Sequence, residues 1–211
     1  MSYKRSSLMQ ERMEQNRQTI LQSARELIAQ GGFKDAQIQA IAERAGVSSG
    51  LVYRYFDNKS QVLIEVLAEA IQQEIQILNS IAASPLAAKQ KLHKAVTTFV
   101  KRALNRPQLA YALMFEPVDA AAEHERFRSK QLIKQSINDI LAEGKINGEF
   151  GFEDLNTAAL CVVGAMTFVV IEPLNPSKNV RFDQAYKDYF VKQIADFCVS
   201  GVALTEGATI R

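Results

Sequence analysis

The chain has 211 residues, of which 47% are apolar and 23% are charged. Both values are ordinary for a soluble globular protein, and the length allows one large or two small domains. A net charge of +2 excludes a strongly basic chain, so composition alone gives no sign of a nucleic-acid partner.

The charge is unevenly distributed along the chain. Residues 1–60 contain nine Lys/Arg against six Asp/Glu, whereas the remainder contains sixteen against seventeen. A mildly basic first part followed by a neutral remainder fits a DNA-contacting end better than a uniformly basic surface.

The N-terminus and the cysteines both indicate a cytoplasmic protein. The first residues, MSYKRSSLMQERMEQNRQ, are polar and charged and lack the apolar core of a signal peptide. Cys161 and Cys198 lie in apolar runs without the Cys/His spacing of a zinc site. Buried free thiols in a reducing cytosol are favoured over a structural disulfide.

Helical periodicity dominates the chain and predicts an all-α fold, since no segment convincingly alternates with a period of two. Glycines, prolines and capping residues mark the predicted helix ends. The helices are expected at about 11–29, 37–45, 48–55, 58–81, 86–104, 108–115, 120–143, 154–171 and 182–204. We expect Gly144, Gly148 and Gly151 to form a loop, and Pro173 and Pro176 to close the eighth helix.

The first three helices have the layout of a helix-turn-helix. Their apolar stripes predict a shared core, which we assign to Ile20, Ala24, Leu27, Ile28, Ile38, Ile41, Ala42, Leu51 and Phe56. Ala45 and Gly46 are small, as expected where a turn brings two backbones close. The third helix leaves hydroxyl, arginine and tyrosine side chains on its free face, which is the arrangement that enters the DNA major groove.

Residues 41–63, IAERAGVSSGLVYRYFDNKSQVL, closely resemble the DNA-binding signature of TetR-type transcriptional repressors. The likeness extends to the preceding helix, ILQSARELIAQGGF, and the remainder resembles the family only in length and helical architecture. The resemblance implies an N-terminal three-helix helix-turn-helix domain, residues 11–57. A larger C-terminal helical domain for ligand binding and dimerisation is implied for residues 58–211.

The resemblance also implies DNA contacts from the third helix and its flanks. Ser48, Ser49 and Gly50 begin this helix, where free N–H groups and hydroxyls can meet a phosphate or a base edge. Tyr53 and Arg54 are implied to contact the duplex. The full set is Gln37, Ser48, Ser49, Gly50, Tyr53, Arg54, Tyr55 and Lys59.

Several of these contacts have alternatives. Tyr55 either reaches a phosphate or helps to pack the helix, and Lys59 resembles a clamp on the DNA backbone. The family often has a Thr before the second helix; Gln37 stands in that region, so the hydroxyl cap is missing, although its amide could donate to a phosphate. The basic residues Lys4, Arg5 and Arg12 could reach the minor groove, but a frayed, solvated tail is favoured.

A dimer is expected because one recognition helix reads only a few base pairs, and such proteins pair two half-sites about 34 Å apart. Residues 155–171 are apolar nearly all round and need cover on every side. The segment is shorter than the roughly 20 residues of a membrane span, so no membrane association is predicted. With the last helix it would form half of a four-helix homodimer interface, as in TetR-like dimers; a buried monomer core helix is the alternative.

The resemblance implies that the body binds a small-molecule effector that releases DNA. Large and flexible apolar side chains suggest an apolar or aromatic ligand, although each is also compatible with ordinary core packing. An acid at a helix C-terminus is disfavoured by the helix dipole, so Glu116 is expected to face the pocket or solvent. The candidates are Leu109, Leu113, Met114, Glu116, Phe127, Met166 and Phe168, and no cofactor or metal is predicted.

The sequence therefore predicts a ligand-responsive one-component transcriptional regulator, a repressor that binds a palindromic operator as a dimer. One alternative is a helical homodimeric small-molecule-binding or adaptor protein without DNA binding, against which Tyr53, Arg54 and Lys59 together argue. Another is a small helical enzyme. The chain has no nucleophile-elbow pattern, metal-spaced His/Glu pair or glycine-rich phosphate loop, which argues against catalysis.

Overall fold

The computed structural model describes residues 2–175 and 183–204, with side chains from residue 8 onward. In chain order the helices of this part are α1 (Ser2–Gly31), α2 (Ile38–Ala45), α3 (Ser49–Tyr53), α4 (Lys59–Ala82), α5 (Ala88–Asn105), α6 (Pro107–Phe115), α7 (Ala120–Ile146), α8 (Leu155–Phe168), α9 (Ile171–Leu174) and α10 (Gln184–Val202). The all-α prediction is confirmed. The predicted boundaries at Pro176 and Phe182 lie outside the described residues.

Two predicted helix boundaries are wrong. Helix α1 begins at Ser2, so the backbone of the basic arm is helical rather than a frayed tail, because no glycine or proline interrupts residues 2–10. Gly144 lies inside α7 rather than in a loop. A Cβ at Gly144 would lie 2.1 Å from the ring of Phe150, so this glycine makes room for the aromatic side chain.

The apolar segment after Asp154 forms two helices rather than one. Helix α8 ends at Phe168, and α9 follows with Pro173 inside it. Residues 155–174 are apolar and long enough to cross a membrane by length and composition alone. The break leaves α8 with 14 residues, which is about 21 Å against about 30 Å of bilayer hydrocarbon. One side of α8 is also buried inside the protein, as in a core helix.

Two hydrophobic clusters form the interior. The N-terminal cluster combines α1, α2, α3 and the start of α4, and the body cluster extends from the second half of α4 to α10. Helix α6 contributes to both clusters. Leu109 and Ala112 lie in the N-terminal cluster, whereas Tyr111 and Met114 pack against the body cluster. Helix α6 therefore lies between the two clusters and contacts both.

Ion pairs connect α1 to α4 on the outside of the N-terminal cluster. Arg17 pairs with Glu65, and Arg25 pairs with Glu69. The Arg17 guanidinium also lies 5.7 Å from the ring centroid of Phe56, which is 1% exposed. Partly exposed pairs of this kind contribute up to about 1 kcal/mol each. Their main effect is to fix the position of α1 along α4.

Glu149 caps the N-terminus of α5 from the loop after α7. Its two carboxylate oxygens accept hydrogen bonds from the N–H groups of Ala88 at 2.9 Å and Lys89 at 3.0 Å. The hydrogen bond from the Lys89 N–H is the main cause that holds the pKa of Glu149 below its ordinary value of 4.5. The carboxylate thus supplies the cap that Ala87, the residue before α5, cannot provide.

We expect Glu149→Gln to lower the free energy of unfolding by about 1 kcal/mol at pH 7, because an amide has only one acceptor atom for two N–H groups. Since folding lowers the pKa of Glu149, its contribution is present above pH 4.5 and is lost as the pH falls through the lower, folded-state value. Urea unfolding at pH 7 and at pH 4, at one protein concentration, checks this. The control is Glu153→Gln at an exposed acid. A difference that does not shrink on acidification would contradict the assignment.

Candidate DNA-binding surface and effector site

Gly46 forms the turn between α2 and α3. Its φ is +67°, in the left-handed region, and its N–H donates to the carbonyls of Ala42 and Glu43. A Cβ at this position would meet nothing within 4 Å. The prediction that Gly46 is small because two backbones approach closely is therefore wrong. The glycine is required by its backbone conformation, which ends α2.

Helix α3 is short and begins at a serine cap. The hydroxyl of Ser48 accepts a hydrogen bond from the Leu51 N–H at 3.1 Å. Val52 is completely buried in the N-terminal cluster, whereas Leu51, which was predicted to be core, is half-buried. The core prediction therefore missed the residue that anchors this helix. With Val52 turned inward, Tyr53 points into solvent.

Exposure separates the predicted DNA contacts into two groups. The exposed group is Gln37, Ser48, Gly50, Tyr53 and Arg54, and the half-buried group is Ser49, Tyr55 and Lys59. Tyr53 is 54% exposed, which is a large fraction for an aromatic side chain. Tyr55 packs against the N-terminal cluster, with its ring centroid 6.5 Å from that of Phe56. Packing, the alternative considered for Tyr55, is thus what the structure contains.

Gln37 and Lys59 flank α3 in sequence. The Gln37 amide donates to the Lys34 carbonyl at 2.8 Å and does not cap α2. Lys59 begins α4, directly after Asn58, whose side chain accepts from the Gln61 N–H at 3.0 Å. Burial lowers the pKa of Lys59, while the negative charges of Glu116 and Asp35 act in the opposite direction. Lys59 therefore lies close enough to Glu116, the residue after α6, to be affected by its negative charge.

Glu116 lies against the turn between α1 and α2 rather than with apolar effector candidates. Its carboxylate accepts a hydrogen bond from the Phe33 N–H at 2.9 Å. Gly32, the preceding residue, has a φ of +80°, and a Cβ there would lie 2.6 Å from an oxygen of Glu116. The acid at the C-terminus of α6 is thus used to satisfy a backbone N–H of a neighbouring turn. The pocket role predicted for Glu116 does not fit this position.

Arg126 of α7 caps the C-terminus of α6. It is 7% exposed, and its guanidinium donates to the carbonyls of Leu113 at 2.9 Å and Glu116 at 2.8 Å. It also donates to the Glu123 carboxylate at 2.6 Å. Sequence reasoning did not single out Arg126, since its carbonyl acceptors belong to another helix. The only local signal was Glu123, three residues before it.

The other predicted effector residues do not meet in one place. Met166 is fully buried in the body cluster, and Met114 packs against the same cluster. Leu109 and Leu113 face the N-terminal cluster instead, while Phe127 and Phe168 are 60% and 70% exposed. Two surface cavities, of about 480 Å³ beside α8 and α10 and about 710 Å³ beside α5 and α10, are lined by other residues. Met114 and Met166 are therefore the candidates that belong to the body cluster.

Helices α8 and α10 expose a group of large apolar side chains, which is termed the α8/α10 face. It consists of Leu160, Phe168, Tyr186, Tyr189 and Phe197. Phe168 and Phe197 are each 70% exposed, and Gly164 leaves a flat position between Leu160 and Phe168 on α8. A monomer rarely exposes aromatic residues in such a group unless the surface binds a partner.

The prediction of buried free thiols is confirmed for Cys198 and wrong for the burial of Cys161. Cys161 is exposed on α8, whereas Cys198 is buried, and both are free. Burial raises the pKa of Cys198 to about 11, so its thiol is protonated at neutral pH. Cys161 is exposed because it lies on the side of α8 that forms the α8/α10 face.

Comparison with known proteins identifies relatives of both halves of the chain. Residues 20–66 match the model of the family described as bacterial regulatory proteins, tetR family. The fatty acid metabolism regulator protein of Bacillus subtilis is 30% identical over 133 residues, which are 62% of this chain and 68% of that protein. The HTH-type transcriptional repressor KstR of Rhodococcus jostii is 32% identical over 111 residues, 52% of each chain.

Solved structures share the fold over most of its length. The regulator FadR of Bacillus subtilis in complex with stearoyl-CoA superposes with a TM-score of 0.75 at 23% identity, covering 87% of this chain and 98% of that one. FadR of Bacillus halodurans gives a TM-score of 0.74 at 23% identity with the same coverage. At this identity the likeness describes the fold alone.

Two glycines of the helix-turn-helix should respond oppositely to a methyl group. A Cβ at Gly46 would meet nothing within 4 Å, and at Gly50 the nearest atom, the Ser48 hydroxyl, would be 3.9 Å away. Space is therefore matched, and φ decides the outcome. We expect Gly46→Ala to destabilise by about 1 kcal/mol, and Gly50→Ala, inside α3, to stabilise by up to about 1 kcal/mol. Thermal or urea unfolding measures both, and effects of equal sign would refute the role given to φ.

Proposed function

The chain belongs to the TetR family of bacterial regulatory proteins, and on this premise we propose that it is a repressor whose homodimer binds a palindromic operator and releases it when an apolar effector binds. The observation that carries the proposal is the surface of α3. Tyr53, the last residue of α3, and Arg54, directly after it, are exposed beside the fully buried Val52. Helix-turn-helix proteins present such a surface to the major groove.

The reading unit, residues 11–57, would supply the DNA contacts. Arg54 can form two parallel hydrogen bonds to a guanine edge or to a phosphate. Tyr53 can contact a base methyl group or donate its hydroxyl to a phosphate. The exposed Gln37, Ser48 and Gly50, with Ser49 and Lys59, would meet the DNA backbone and set the register, with Tyr55 helping to hold α3 in place.

The body, residues 58–211, would join two copies through the α8/α10 face. The exposed Phe168, Tyr189 and Phe197 need cover from water, and a second copy of the same face provides it by two-fold symmetry. Fully covering one aromatic side chain contributes about 1.5–3 kcal/mol. Several such residues on each copy are enough for a stable dimer. The dimer would then present two reading units to half-sites about 34 Å apart.

An acyl-CoA thioester with a long chain is the effector class that we propose. The relative from Bacillus subtilis is named a regulator of fatty acid metabolism, and the FadR structure of similar fold contains stearoyl-CoA. In this chain, Met114 and Met166 lie in or against the body cluster, and methionine adapts to a flexible apolar chain. A chain inserted there would act directly on α6, which carries Met114.

The remaining assignments follow from this role. A regulator of bacterial genes acts where the DNA is, so we place the protein in the cytoplasm. The relatives are regulators, and we assign no catalytic activity to this chain. Coupling between effector and operator would be a population shift between body conformations that hold the reading units differently.

Arg54→Ala should weaken binding to an operator that the wild-type protein has selected from random DNA, by about 1–3 kcal/mol for one lost bidentate contact. Fluorescence anisotropy at two or more salt concentrations measures this. The control Arg128→Ala removes the same charge from an exposed position on α7 and should leave operator affinity unchanged. Equal binding by wild type and Arg54→Ala would remove α3 from the role of recognition helix.

Phe197→Asp should convert the dimer to a monomer, because two charges would be buried without partners across the two-fold axis. Light scattering after size-exclusion chromatography gives the mass, and operator affinity should fall with it. Ile146, which is 84% exposed at the end of α7, provides the control Ile146→Asp. A dimeric Phe197→Asp variant would exclude the α8/α10 face as the interface.

Stearoyl-CoA should raise the melting temperature of the wild-type protein and release the selected operator. At a concentration of 100 times Kd, the added stability is about 2.7 kcal/mol. Coenzyme A alone and stearate alone are the controls, and each should act only weakly because it has one half of the ligand. Absence of both the thermal shift and the release would show that the effector is not a long-chain acyl-CoA.

A further inference from the structure

Two polar side chains at opposite ends of the nine-residue helix α6 hold the end of α1 and the turn after it: Gln108 inside the helix and Glu116 directly after it. Near the start of α6, the Gln108 amide, oriented to satisfy both partners, donates to the carbonyls of Ala29 at 2.6 Å and Gln30 at 3.0 Å. At the other end, Glu116 accepts from the Phe33 N–H at 2.9 Å. The turn that leads into α2 is thus held at both sides by one helix.

Helix α6 is in turn attached to the body. The buried Arg126 donates to carbonyls of its last turn, including those of Leu113 and Glu116. Tyr111 and Met114 pack against the body cluster on the opposite side from Leu109. A continuous series of contacts therefore runs from the body cluster through α6 to the turn before α2.

The turn itself is shaped for the Glu116 carboxylate. Gly32 has a φ of +80°, and any Cβ there would lie 2.6 Å from one carboxylate oxygen and 2.9 Å from the other. The backbone conformation that exposes the Phe33 N–H and the space that admits the carboxylate thus come from the same glycine.

We propose that Glu116 is a positioning residue that sets the angle of the reading unit on the body, and so determines the half-site spacing that the dimer accepts. This inference rests on the proposed function. The bodies are joined at the α8/α10 face, so the distance between recognition helices depends on how each reading unit is held. The Arg17–Glu65 and Arg25–Glu69 pairs hold α1 on α4, whereas Glu116 holds the side from which α2 begins.

The charge of Glu116 has a second effect, on Lys59. Together with Asp35, the carboxylate favours the charged form of this half-buried lysine against the effect of burial. The same negative charge repels a DNA phosphate that approaches Lys59. Position and charge can be separated experimentally, because glutamine keeps an oxygen that accepts from the Phe33 N–H but carries no charge.

The test compares Glu116→Ala and Glu116→Gln on two operators. The first is the operator that the wild-type protein selects from random DNA, and the second has one base pair inserted between its half-sites. That insertion moves the half-sites apart by about 3.4 Å and rotates them by about 35°. The measured quantity is the Kd for the operator with the inserted base pair divided by the Kd for the selected operator. Glu153→Ala is the control for loss of an exposed acid.

We expect Glu116→Ala to lower this ratio about tenfold, the upper end of the effect of one hydrogen bond between uncharged groups, which glutamine also makes. Glu116→Gln should keep the wild-type ratio and bind the selected operator about threefold more tightly at low salt, as expected for a repulsion of surface-pair size. Hydrogen exchange of the Phe33 amide should be faster in Glu116→Ala and unchanged in Glu116→Gln.

An unchanged ratio in Glu116→Ala would overturn the inference, as would an equal loss in both variants. A purely structural role would lower the melting temperature and both affinities together without changing the ratio, and this also overturns it. If Glu116→Ala does not fold, Glu116→Asp, whose carboxylate is one methylene too short to reach the turn, takes its place with the same expected fall. Failure of the wild-type protein to select any operator would refute the proposed function itself, which is a separate result.

Discussion

The guanidinium of Arg126 is 7% exposed and carries a charge that is stable at this depth only while its N–H groups have acceptors. Those acceptors are the carbonyls of Leu113 and Glu116 at the end of α6, together with the carboxylate of Glu123. Moving the end of α6 away from α7 would leave Arg126 with Glu123 alone and its other buried N–H groups without acceptors, at a cost of about 1–3 kcal/mol for each such group. The hydrogen bonds from Arg126 therefore hold α6 on the body more tightly than the apolar packing of a nine-residue helix would do alone.

This constraint gives α6 its place between the two hydrophobic clusters. Leu109 lies in the N-terminal cluster and Met114 packs against the body cluster, so α6 joins the body to the helix-turn-helix beside α4, whose two halves belong to different clusters. Glu116 and Gln108 add directed hydrogen bonds to the end of α1 and the turn after it. Apolar contacts alone would let the reading unit slide, whereas hydrogen bonds fix its angle because they lose strength steeply with misalignment.

Much of the fold could be read from the sequence because helix ends are local events. The end of α2 before Gly46, the Ser48 cap and the Asn58 cap each depend on residues within a few positions, and each is present in the structure. Membership of the TetR family, expected from residues 41–63, is confirmed by the family match and the curated relatives. Two of the errors concern packing: Val52 rather than Leu51 is buried, and Gly144, inside α7, leaves space for the ring of Phe150.

The all-α class, most helix boundaries and the helix-turn-helix follow from the sequence alone, because periodicity, caps and turn residues act over short distances. The roles of Glu116 and Arg126 depend instead on tertiary contacts. Each of these two side chains bonds to a backbone group of another element, and backbone N–H and C=O groups have no sequence signature. Tertiary packing also separates the effector candidates. Leu109 and Met114 are both apolar residues of α6, but they contact different hydrophobic clusters because α6 lies between the two.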